Sequence, residues 1–282
     1  MKYLPNISYD DTDKGIEYLK NNKFNFYPKD DTIIIFHVYW YGDISRKQLL
    51  CIKSYLKTQN LEKTKLWVWL DYKTFSNKNV DIIPKHKNIE IKKYIPNNEA
   101  KYTPFENKSF LNNLDYLKFR SDIARLIFLY KYGGIYYDLD MILLKDLMPL
   151  LGIEFCYTWS DKKRGNNAIL RLFKNSVNCK MIIGKYKKNT PRCVGTNKLI
   201  FTNDLNIYCL PSILFDPVWI LNDKKRNSKY SKLNNFNKFF KTTSENIKHF
   251  FDNQIFAYHW HSRNNYKIEK DSYFDKLEKL FN

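Results

Sequence analysis

The feature that most constrains the fold is a pair of glycines, Gly133 and Gly134, between two apolar stretches. The stretch before them, residues 114–131, predicts a helix, because glycine best tolerates the left-handed conformation that follows a helix C-terminus. The stretch after them, residues 135–144, predicts a strand. We therefore expect a helix that ends in a tight turn and leads directly into a sheet.

Two acids, Asp138 and Asp140, lie within that predicted strand. Side chains alternate faces along a strand, so both acids should point to one side with Cα atoms roughly 6.5 to 7 Å apart. Mg²⁺ and Mn²⁺ prefer carboxylate and phosphate oxygens as ligands. A solvent-exposed edge strand is the alternative, but two acids within an apolar strand need compensation for repulsion and desolvation. The pattern favours a divalent-cation site.

A second charged pair, Asp122 and Arg125, lies three residues apart and therefore on one face of the predicted helix. Apart from Arg125, residues 123–129 are apolar, as expected of a buried helix. Buried charges are either paired or functional. The pair is interpreted either as a local salt bridge or, preferably, as a contact to an anionic or polyhydroxyl ligand.

These motifs resemble the DXD-containing sugar transferases of glycosyltransferase family 32, which include initiating mannosyltransferases and capsular polysaccharide enzymes. The large glucosylating toxins share this catalytic core. The resemblance rests on residues 118–125, K-F-R-S-D-I-A-R, and on residues 130–140, Y-K-Y-G-G-I-Y-Y-D-L-D. It implies an α/β protein with a GT-A-type nucleotide-sugar transferase fold, in which helices flank a Rossmann-like, mostly parallel sheet.

The resemblance also implies three overlapping groups of site residues. Catalytic roles would belong to Asp122, Arg125, Asp138 and Asp140. The metal would be held by Asp138, Asp140 and His259. Donor contacts would come from His37, Trp40, Asp122, Arg125, Gly133, Gly134, Tyr137, Asp138, Asn167 and His259.

Weaker similarities extend over most of the chain. His37 and Trp40 match the H-x-x-W end of the family's first strand, and Asn167 matches an asparagine near the donor sugar. Residues 258–262, Y-H-W-H-S, resemble the closing H-x-W segment that returns to the metal and diphosphate. Two further segments are residues 210–217, similar to the family's late strand, and residues 194–196, where V-G-T replaces the usual Gly-Pro.

The histidines keep second interpretations. A lone histidine in an apolar strand, as His37 is, is more often a packed core residue. His259 and His261 would share a face if the strand predicted over residues 254–260 continued, and such a pair can ligate a transition metal. No third nitrogen or thiolate is close in sequence, so a capping or packing role is the alternative for His259.

The first third of the chain predicts a β-α-β unit. Residues 32–40 form an apolar run typical of a strand buried on both faces, and Ser45 with Gln48 forms a capping box before a helix. Ligands of such sheets bind at the carboxyl ends of the strands, which places Asp71 near a nucleotide pocket. Further strands are predicted over residues 66–70 and 89–95.

A length of 282 residues suits one GT-A-like catalytic domain, residues 1–282. We expect an N-terminal extension over residues 1–31 and a nucleotide-binding half with the DXD motif over residues 32–147. An acceptor-side half with the closing segment should occupy residues 148–282. Within it, the Lys- and Asn-rich residues 222–253 predict a surface excursion.

The formal net charge of +19 raises nucleic acid or an anionic membrane as partner. Of the 48 basic residues 40 are dispersed lysines, whereas nucleic-acid readout favours arginine, so no dedicated nucleic-acid partner is expected. The expected partners are a nucleotide-sugar donor, a UDP- or GDP-hexose, and a glycan or glycosylated acceptor. Peripheral membrane contact and simple solubility are alternative uses of the charge.

The five cysteines form no C-x-x-C pair, which argues against a disulfide scaffold or zinc site. The chain has no apolar signal core and no run of about 18 apolar residues. We therefore expect a soluble, reduced, cytoplasmic protein.

The function implied is metal-dependent hexosyl transfer with Mn²⁺ or Mg²⁺ as cofactor, with retention of anomeric configuration as in the family. Two alternatives come from other classes. A haloacid-dehalogenase-like phosphatase also has D-x-D at the end of a buried strand, but it needs a later acidic pair. A basic polyanion-binding protein without catalysis is the other alternative.

Overall fold

A computed structural model describes residues 2–3, 12–21, 23–112, 117–158, 165–186, 205–217, 238–247, 251, 255–261 and 265–282. Its strands are β1 (Lys2–Tyr3), β2 (Ile34–Trp40), β3 (Thr64–Asp71), β4 (Ile89–Tyr94), β5 (Gly134–Tyr137), β6 (Met141–Leu143), β7 (Phe155–Thr158), β8 (Gly165–Leu172), β9 (Tyr208–Leu210) and β10 (Ala257–His259). Its α-helices are α1 (Thr12–Asn21), α2 (Arg46–Thr58), α3 (Asn77–Ile82), α4 (Pro96–Ala100), α5 (Leu117–Tyr132), α6 (Val177–Gly184) and α7 (Tyr273–Phe281).

The central sheet has eight strands in the order β1-β9-β7-β8-β5-β2-β3-β4. Among the described strands of this sheet, β8 runs antiparallel to its neighbours β5 and β7, and all other neighbouring strands are parallel. Two clusters of buried apolar side chains form the core. The predicted mostly parallel sheet with flanking helices is therefore confirmed.

The β-α-β unit forms as predicted. Strands β2, β3 and β4 pair in parallel, and α2 begins at the predicted capping box. The Ser45 side chain accepts from the helix backbone, and the Gln48 side chain accepts from the Ser45 N–H at 3.1 Å. The two interactions satisfy N–H groups that a helix start leaves without partners.

The glycine pair ends α5 as predicted. The Gly133 N–H donates to the Leu129 carbonyl at 2.9 Å, and Gly133 and Gly134 have φ angles of +67° and +103°. A Cβ atom on Gly134 would lie 2.0 Å from the carbonyl oxygen of Ile35. The glycines thus allow β5 to lie directly against β2, which brings the residues after β5 to the carboxyl end of the sheet.

The single strand predicted over residues 135–144 is wrong. Strand β5 ends at Tyr137, and the Met141 N–H closes a turn by donating to the Asp138 carbonyl at 3.0 Å. After this turn β6 leaves the central sheet and pairs antiparallel with β10. Both halves of the segment are buried and apolar, so their pattern resembles one continuous strand.

The described part of the N-terminal extension belongs to the folded body. Strand β1 pairs with β9, the Phe24 ring packs edge-on against Phe256, and the Phe26 N–H donates to the Pro149 carbonyl at 2.8 Å. Residues 1–31 therefore supply both an edge strand and apolar cover.

Part of the surface excursion predicted over residues 222–253 is buried. Phe239 and Phe240 are at most 1% exposed and pack in the core. Residues 222–237, 248–250 and 252–253, together with Val194–Thr196, lie outside the described residues.

No helix in the described part of the chain combines the length and the apolar character needed to cross a membrane. The cytoplasmic location stays a prediction.

Candidate active site

The two acids of the D-x-D motif lie on the turn between β5 and β6, at the carboxyl end of the central sheet. Asp138 follows β5 directly, and its side chain is 26% exposed. Asp140 is more deeply placed, with a side chain 9% exposed. The turn presents the two carboxylates to different neighbours, which belong to distant parts of the chain.

On one side of the turn, Arg125 of α5 joins several polar groups. Its Nη2 atom lies 3.0 Å from Asp138 Oδ1 and 3.6 Å from Asp122 Oδ1, and its Nη1 donates to the Asn167 carbonyl at 2.6 Å. The guanidinium also lies 4.5 Å from the centre of the Tyr136 ring. The tighter ion pair is therefore with Asp138, and the local pair with Asp122 is looser.

Strand β8 brings Asn167 to the same place. The Asn167 Nδ2 donates to Asp122 Oδ1 at 3.1 Å, and the neighbouring Asn166 side chain accepts from the Ala168 N–H at 2.8 Å, which fixes the backbone there. The structure thus unites Asp122, Arg125, Asp138 and Asn167, as the sequence predicted.

Asp138 is held in an unusual electrostatic environment. Burial raises its pKa to about 6, Arg125 opposes that shift, and the nearby Asp140 carboxylate adds to it. The Tyr136 hydroxyl donates to Asp138 Oδ1 at 3.0 Å. Two neighbouring acids in such a site favour a bound cation, because repulsion and desolvation then diminish.

On the other side of the turn, the Asp140 Oδ1 atom lies 3.1 Å from Nε2 of His259. This contact follows from the pairing of β6 with β10, which the Trp260 N–H extends by donating to the Asp140 carbonyl at 3.1 Å. Burial would lower the pKa of His259, but the Asp140 and Asp216 carboxylates outweigh it and raise that pKa to about 10.

The predicted ligand set fits a divalent metal. Carboxylate oxygens and an imidazole nitrogen are donors for ions such as Mn²⁺. The distance of 3.1 Å between Asp140 Oδ1 and His259 Nε2 suits two neighbouring ligands of one ion with bonds of about 2.1 Å. Asp140 and His259 are therefore placed as neighbouring ligands of one ion, whereas Asp138 as a third ligand stays a prediction.

Three further residues surround His259: the sequence analysis assigned no site role to Tyr157 or Asp216, and it considered His261 as a possible metal-binding partner of His259. His259 Nδ1 lies 3.1 Å from the Tyr157 hydroxyl, and His261 Nε2 lies 2.7 Å from Oδ2 of the fully buried Asp216. Asp216, His259 and His261 form a group whose potential ligand atoms all lie within 4.8 Å of one another.

Two residues predicted as donor contacts lie in the core instead. His37 Nε2 is 2.9 Å from the Gly133 carbonyl, and His37 Nδ1 accepts from the Trp69 indole N–H at 3.1 Å. Burial lowers the pKa of His37 to about 3. Tyr137 is also fully buried, and its hydroxyl donates to the Cys51 carbonyl at 3.4 Å. Both side chains are thus packed inside the protein, and their contacts to the donor stay predictions.

Two residues near the predicted nucleotide pocket differ in exposure. Trp40 ends β2, is partly exposed, and donates from its indole N–H to the Asp43 carbonyl at 3.0 Å. Asp71 is fully buried, where Arg120 Nη2 donates to it at 2.8 Å and the Tyr39 hydroxyl at 2.6 Å. Asp71 therefore anchors α5 to β3, whereas Trp40 stays a predicted donor contact.

Comparison with known proteins gives an independent assignment. Residues 47–156 match the family model described as the glycosyltransferase sugar-binding region containing the DXD motif. Both acids of the D-x-D turn and the Asp122–Arg125 pair lie inside this segment. No curated protein matched the chain significantly.

Several solved glycosyltransferase structures are similar to this chain. An active-site mutant of LgtC is 12% identical with a TM-score of 0.50, and the match covers 88% of this chain and 96% of that one. LgtC galactosyltransferase in complex with donor and acceptor sugar analogues gives 13% identity, a TM-score of 0.46 and the same coverages of 88% and 96%. PaToxG glycosyltransferase gives 20% identity and a TM-score of 0.37, over 61% of this chain and 65% of that one.

The match to PaToxG thus spans about two thirds of that chain. At these identities the match to the LgtC mutant shows a shared fold, and it confirms the GT-A-type architecture predicted from the sequence. The matched family model adds the motif itself. Residues 47–156 therefore match the DXD-containing glycosyltransferase sugar-binding region, and the chain as a whole is similar in fold to the LgtC mutant.

Proposed function

We propose that this protein is a metal-dependent glycosyltransferase that moves a hexose from a UDP- or GDP-linked donor to a hydroxyl group of a glycan or other acceptor. The observation that supports this best is the set of polar residues that lie around the D-x-D turn. Asp138 and Asp140 lie between the polar group of Asp122, Arg125 and Asn167 on one side and His259 on the other.

In this proposal Asp138, Asp140 and His259 hold Mn²⁺ or Mg²⁺. When bound, the ion supplies positive charge where a nucleoside diphosphate departs. In this proposal Arg125, whose side chain is 5% exposed, holds the Asp138 carboxylate in one orientation through their ion pair. The metal centre is thus held by groups whose own positions are fixed.

Asp122 is the proposed contact to the hexose hydroxyls. Its side chain is 19% exposed, and one carboxylate oxygen is fixed by Asn167. A carboxylate accepts hydrogen bonds from sugar hydroxyls, and fixed orientation reduces the entropy lost on the way to the transition state. Direct donor contacts of Arg125 and Asn167 stay predictions, because their present partners are protein groups.

We propose retention of anomeric configuration through attack of the acceptor hydroxyl on the face that the diphosphate leaves. Asp122 and Asp138 are both engaged by Arg125, which weakens either carboxylate as a nucleophile. The acceptor proton would then pass to the departing phosphate oxygen. The bond to the acceptor oxygen forms as the bond to the phosphate oxygen breaks.

The test is a panel of nucleotide sugars incubated with Mn²⁺, with release of free nucleotide measured in the presence and absence of candidate glycans. One uridine- or guanosine-diphosphate hexose should give the fastest release, and EDTA should abolish it. Turnover that persists without metal would contradict the proposal.

The same measurements separate the alternatives. A phosphatase would release phosphate from p-nitrophenyl phosphate, which a sugar transferase should not do. A polyanion-binding protein would turn over no nucleotide sugar, and an Asp138→Asn/Asp140→Asn variant would bind polyanions normally.

A further inference from the structure

His259 has a second set of polar neighbours on the side away from Asp140. Its Nδ1 atom lies 3.1 Å from the Tyr157 hydroxyl and 3.7 Å from Asp216 Oδ2. Asp216 Oδ2 also lies 3.4 Å from the Tyr157 hydroxyl and 2.7 Å from His261 Nε2. One buried carboxylate oxygen of Asp216 is therefore shared by Tyr157 and His261, and these three side chains surround the His259 imidazole.

This arrangement is costly in free energy. Asp216 is completely buried, and its Oδ1 atom has no hydrogen-bond partner among the described residues. Leaving a buried oxygen without a hydrogen bond destabilises the folded protein. His261 has a φ of +54°, a left-handed conformation that is uncommon outside glycine and that clusters at functional sites. Both unfavourable features lie beside His259.

A second metal site does not explain the cluster. The rings of His259 and His261 stack with centroids 3.8 Å apart and planes inclined by 25°, so their nitrogens do not converge on one point. The distance of 2.7 Å between Asp216 Oδ2 and His261 Nε2 is that of a hydrogen bond. Two ligands of a tetrahedral ion with bonds of about 2.1 Å would lie about 3.3 Å apart. The cluster is therefore a hydrogen-bonded network.

We propose that Asp216, acting with Tyr157 and His261, holds the His259 imidazole in the tautomer and orientation that present its Nε2 to the metal beside Asp140. In this network His259 Nδ1–H donates to the Tyr157 oxygen, the Tyr157 hydroxyl donates to Asp216, and His261 Nε2–H donates to Asp216. Partners of this kind fix the orientation of metal-binding histidines. The inference rests on the proposed function, because it takes His259 as a metal ligand.

The test is a double-mutant cycle read as Mn²⁺ affinity, with free Mn²⁺ measured by electron paramagnetic resonance in the absence of any nucleotide. The variants are Asp216→Asn, His259→Ala and their combination. Asp216→Asn should weaken Mn²⁺ binding about 10- to 100-fold, as removal of such a partner typically does. In the His259→Ala background it should cause no further loss, because the effect passes through the imidazole.

The matched control is Glu154→Gln. Glu154 is another buried acid, and it accepts from the Phe173 N–H at 2.7 Å and from the Asn178 side chain, which belong neither to the D-x-D turn nor to the His259 network. This variant should lower thermal stability but leave Mn²⁺ affinity within twofold. If Asp216→Asn does not fold, Tyr157→Phe removes only the hydroxyl next to Nδ1 and should also weaken Mn²⁺ binding.

A spectroscopic measurement reports the tautomer directly. With Zn²⁺ as a diamagnetic substitute, ¹⁵N shifts of His259 in the parent should show a protonated Nδ1 and a metal-bound Nε2. In Asp216→Asn at the same Zn²⁺ concentration, part of the His259 signal should be that of an imidazole without metal on Nε2. A spectrum identical to that of the parent at subsaturating Zn²⁺ would overturn the proposal.

The outcomes of the cycle are distinct. If Asp216→Asn weakens binding equally with and without His259, Asp216 is itself a ligand and the positioning role is wrong. If His259→Ala weakens binding but Asp216→Asn does not, the positioning role alone is wrong. If His259→Ala binds Mn²⁺ as tightly as the parent, the proposed metal site falls as well.

Discussion

Asp138 and Asp140 are only two residues apart, yet they are held by different chemistry. Asp138 faces the cationic Arg125 and the Tyr136 hydroxyl, whereas Asp140 faces His259. A metal between the two acids would therefore contact Asp138, which pairs with Arg125 of α5, and Asp140, which pairs with His259 of β10. We expect their removal to have different consequences.

Asp140→Asn should weaken Mn²⁺ binding at least tenfold and lower turnover about 100-fold, because the amide keeps the shape but loses the charge that the ion and His259 both need. Turnover of the best nucleotide sugar and Mn²⁺ titration would measure this. The control is Asp43→Asn, whose side chain is 72% exposed and pairs with the exposed Lys78. Equal effects of the two substitutions would contradict the assigned role of Asp140.

Metal binding should depend on pH in two ranges. The pKa of His259 is raised to about 10 in the metal-free protein, so this imidazole is protonated at pH 7.5 and must lose a proton to bind an ion. The pKa of Asp138 is raised above its usual value to about 6, so Asp138 becomes protonated as the pH falls through that range.

We therefore expect release of about one proton per Mn²⁺ at pH 7.5, and affinity that falls further below pH 6. Calorimetry in buffers with different ionisation enthalpies measures both effects. Binding without proton release at pH 7.5 would show that His259 is not a ligand.

At the residue scale, short motifs allowed neighbouring candidate residues to be found, and their roles stay predictions. Asp122 and Arg125 share one helical turn, and the path of β8 brings Asn167 to them. Asp216 and Tyr157 could not be found in this way, because their contact with His259 depends on where distant segments meet. The only sequence signal was an acid between two apolar or rigid residues, Phe215 and Pro217.

At the scale of elements, the turn at residues 138–140 shows the limit of pattern analysis. Both β5 and β6 are apolar and buried, so alternation alone cannot show where one ends. The acids themselves were the available signal, since Asp is rare inside strands and common in turns. Metal chemistry and turn chemistry require the same residue type here, and the sequence analysis considered only the first.

Gly134→Ala should destabilise the protein at the junction between α5 and β5. The new Cβ would lie 2.0 Å from the Ile35 carbonyl oxygen, and φ of +103° is itself unfavourable for alanine. We expect a loss of at least about 2 kcal/mol and a melting temperature several degrees lower, together with weaker Mn²⁺ binding because the D-x-D turn shifts.

Gly184→Ala is the matched control for this prediction. Gly184 lies at the end of α6, and a Cβ there would meet nothing within 4 Å. Alanine should be neutral or stabilise by about 0.5–1 kcal/mol. Thermal unfolding compares the two variants, and an unaffected Gly134→Ala would contradict the required close approach of β5 and β2.

At the scale of the whole molecule, we propose that residues 1–282 form one folding unit. Deletion of residues 1–31 should remove β1 from the sheet edge and uncover Phe256, which packs against Phe24. We expect a marked loss of thermal stability and of soluble protein, measured by thermal unfolding and sedimentation. A truncated protein as stable as the parent would contradict this prediction.

The sequence predicted the nucleotide-binding half better than the rest. Strands β2, β3 and β4 lie within two residues of their predicted bounds, because each has a local apolar pattern and turn residues on both sides. Strand β1 has two residues and pairs Lys2 with Tyr208, so its existence depends on a partner distant in sequence. Such pairings leave no local pattern.

The pairing of β6 with β10 has a consequence for synthesis of the chain. The carboxylates at residues 138 and 140 leave the ribosome long before residues 257–259, whose strand brings the imidazole to Asp140. A nascent chain therefore has both carboxylates of the proposed metal centre before it has the proposed imidazole ligand. We expect the complete site, and with it turnover of the nucleotide-sugar donor, to form only after β10 has paired with β6.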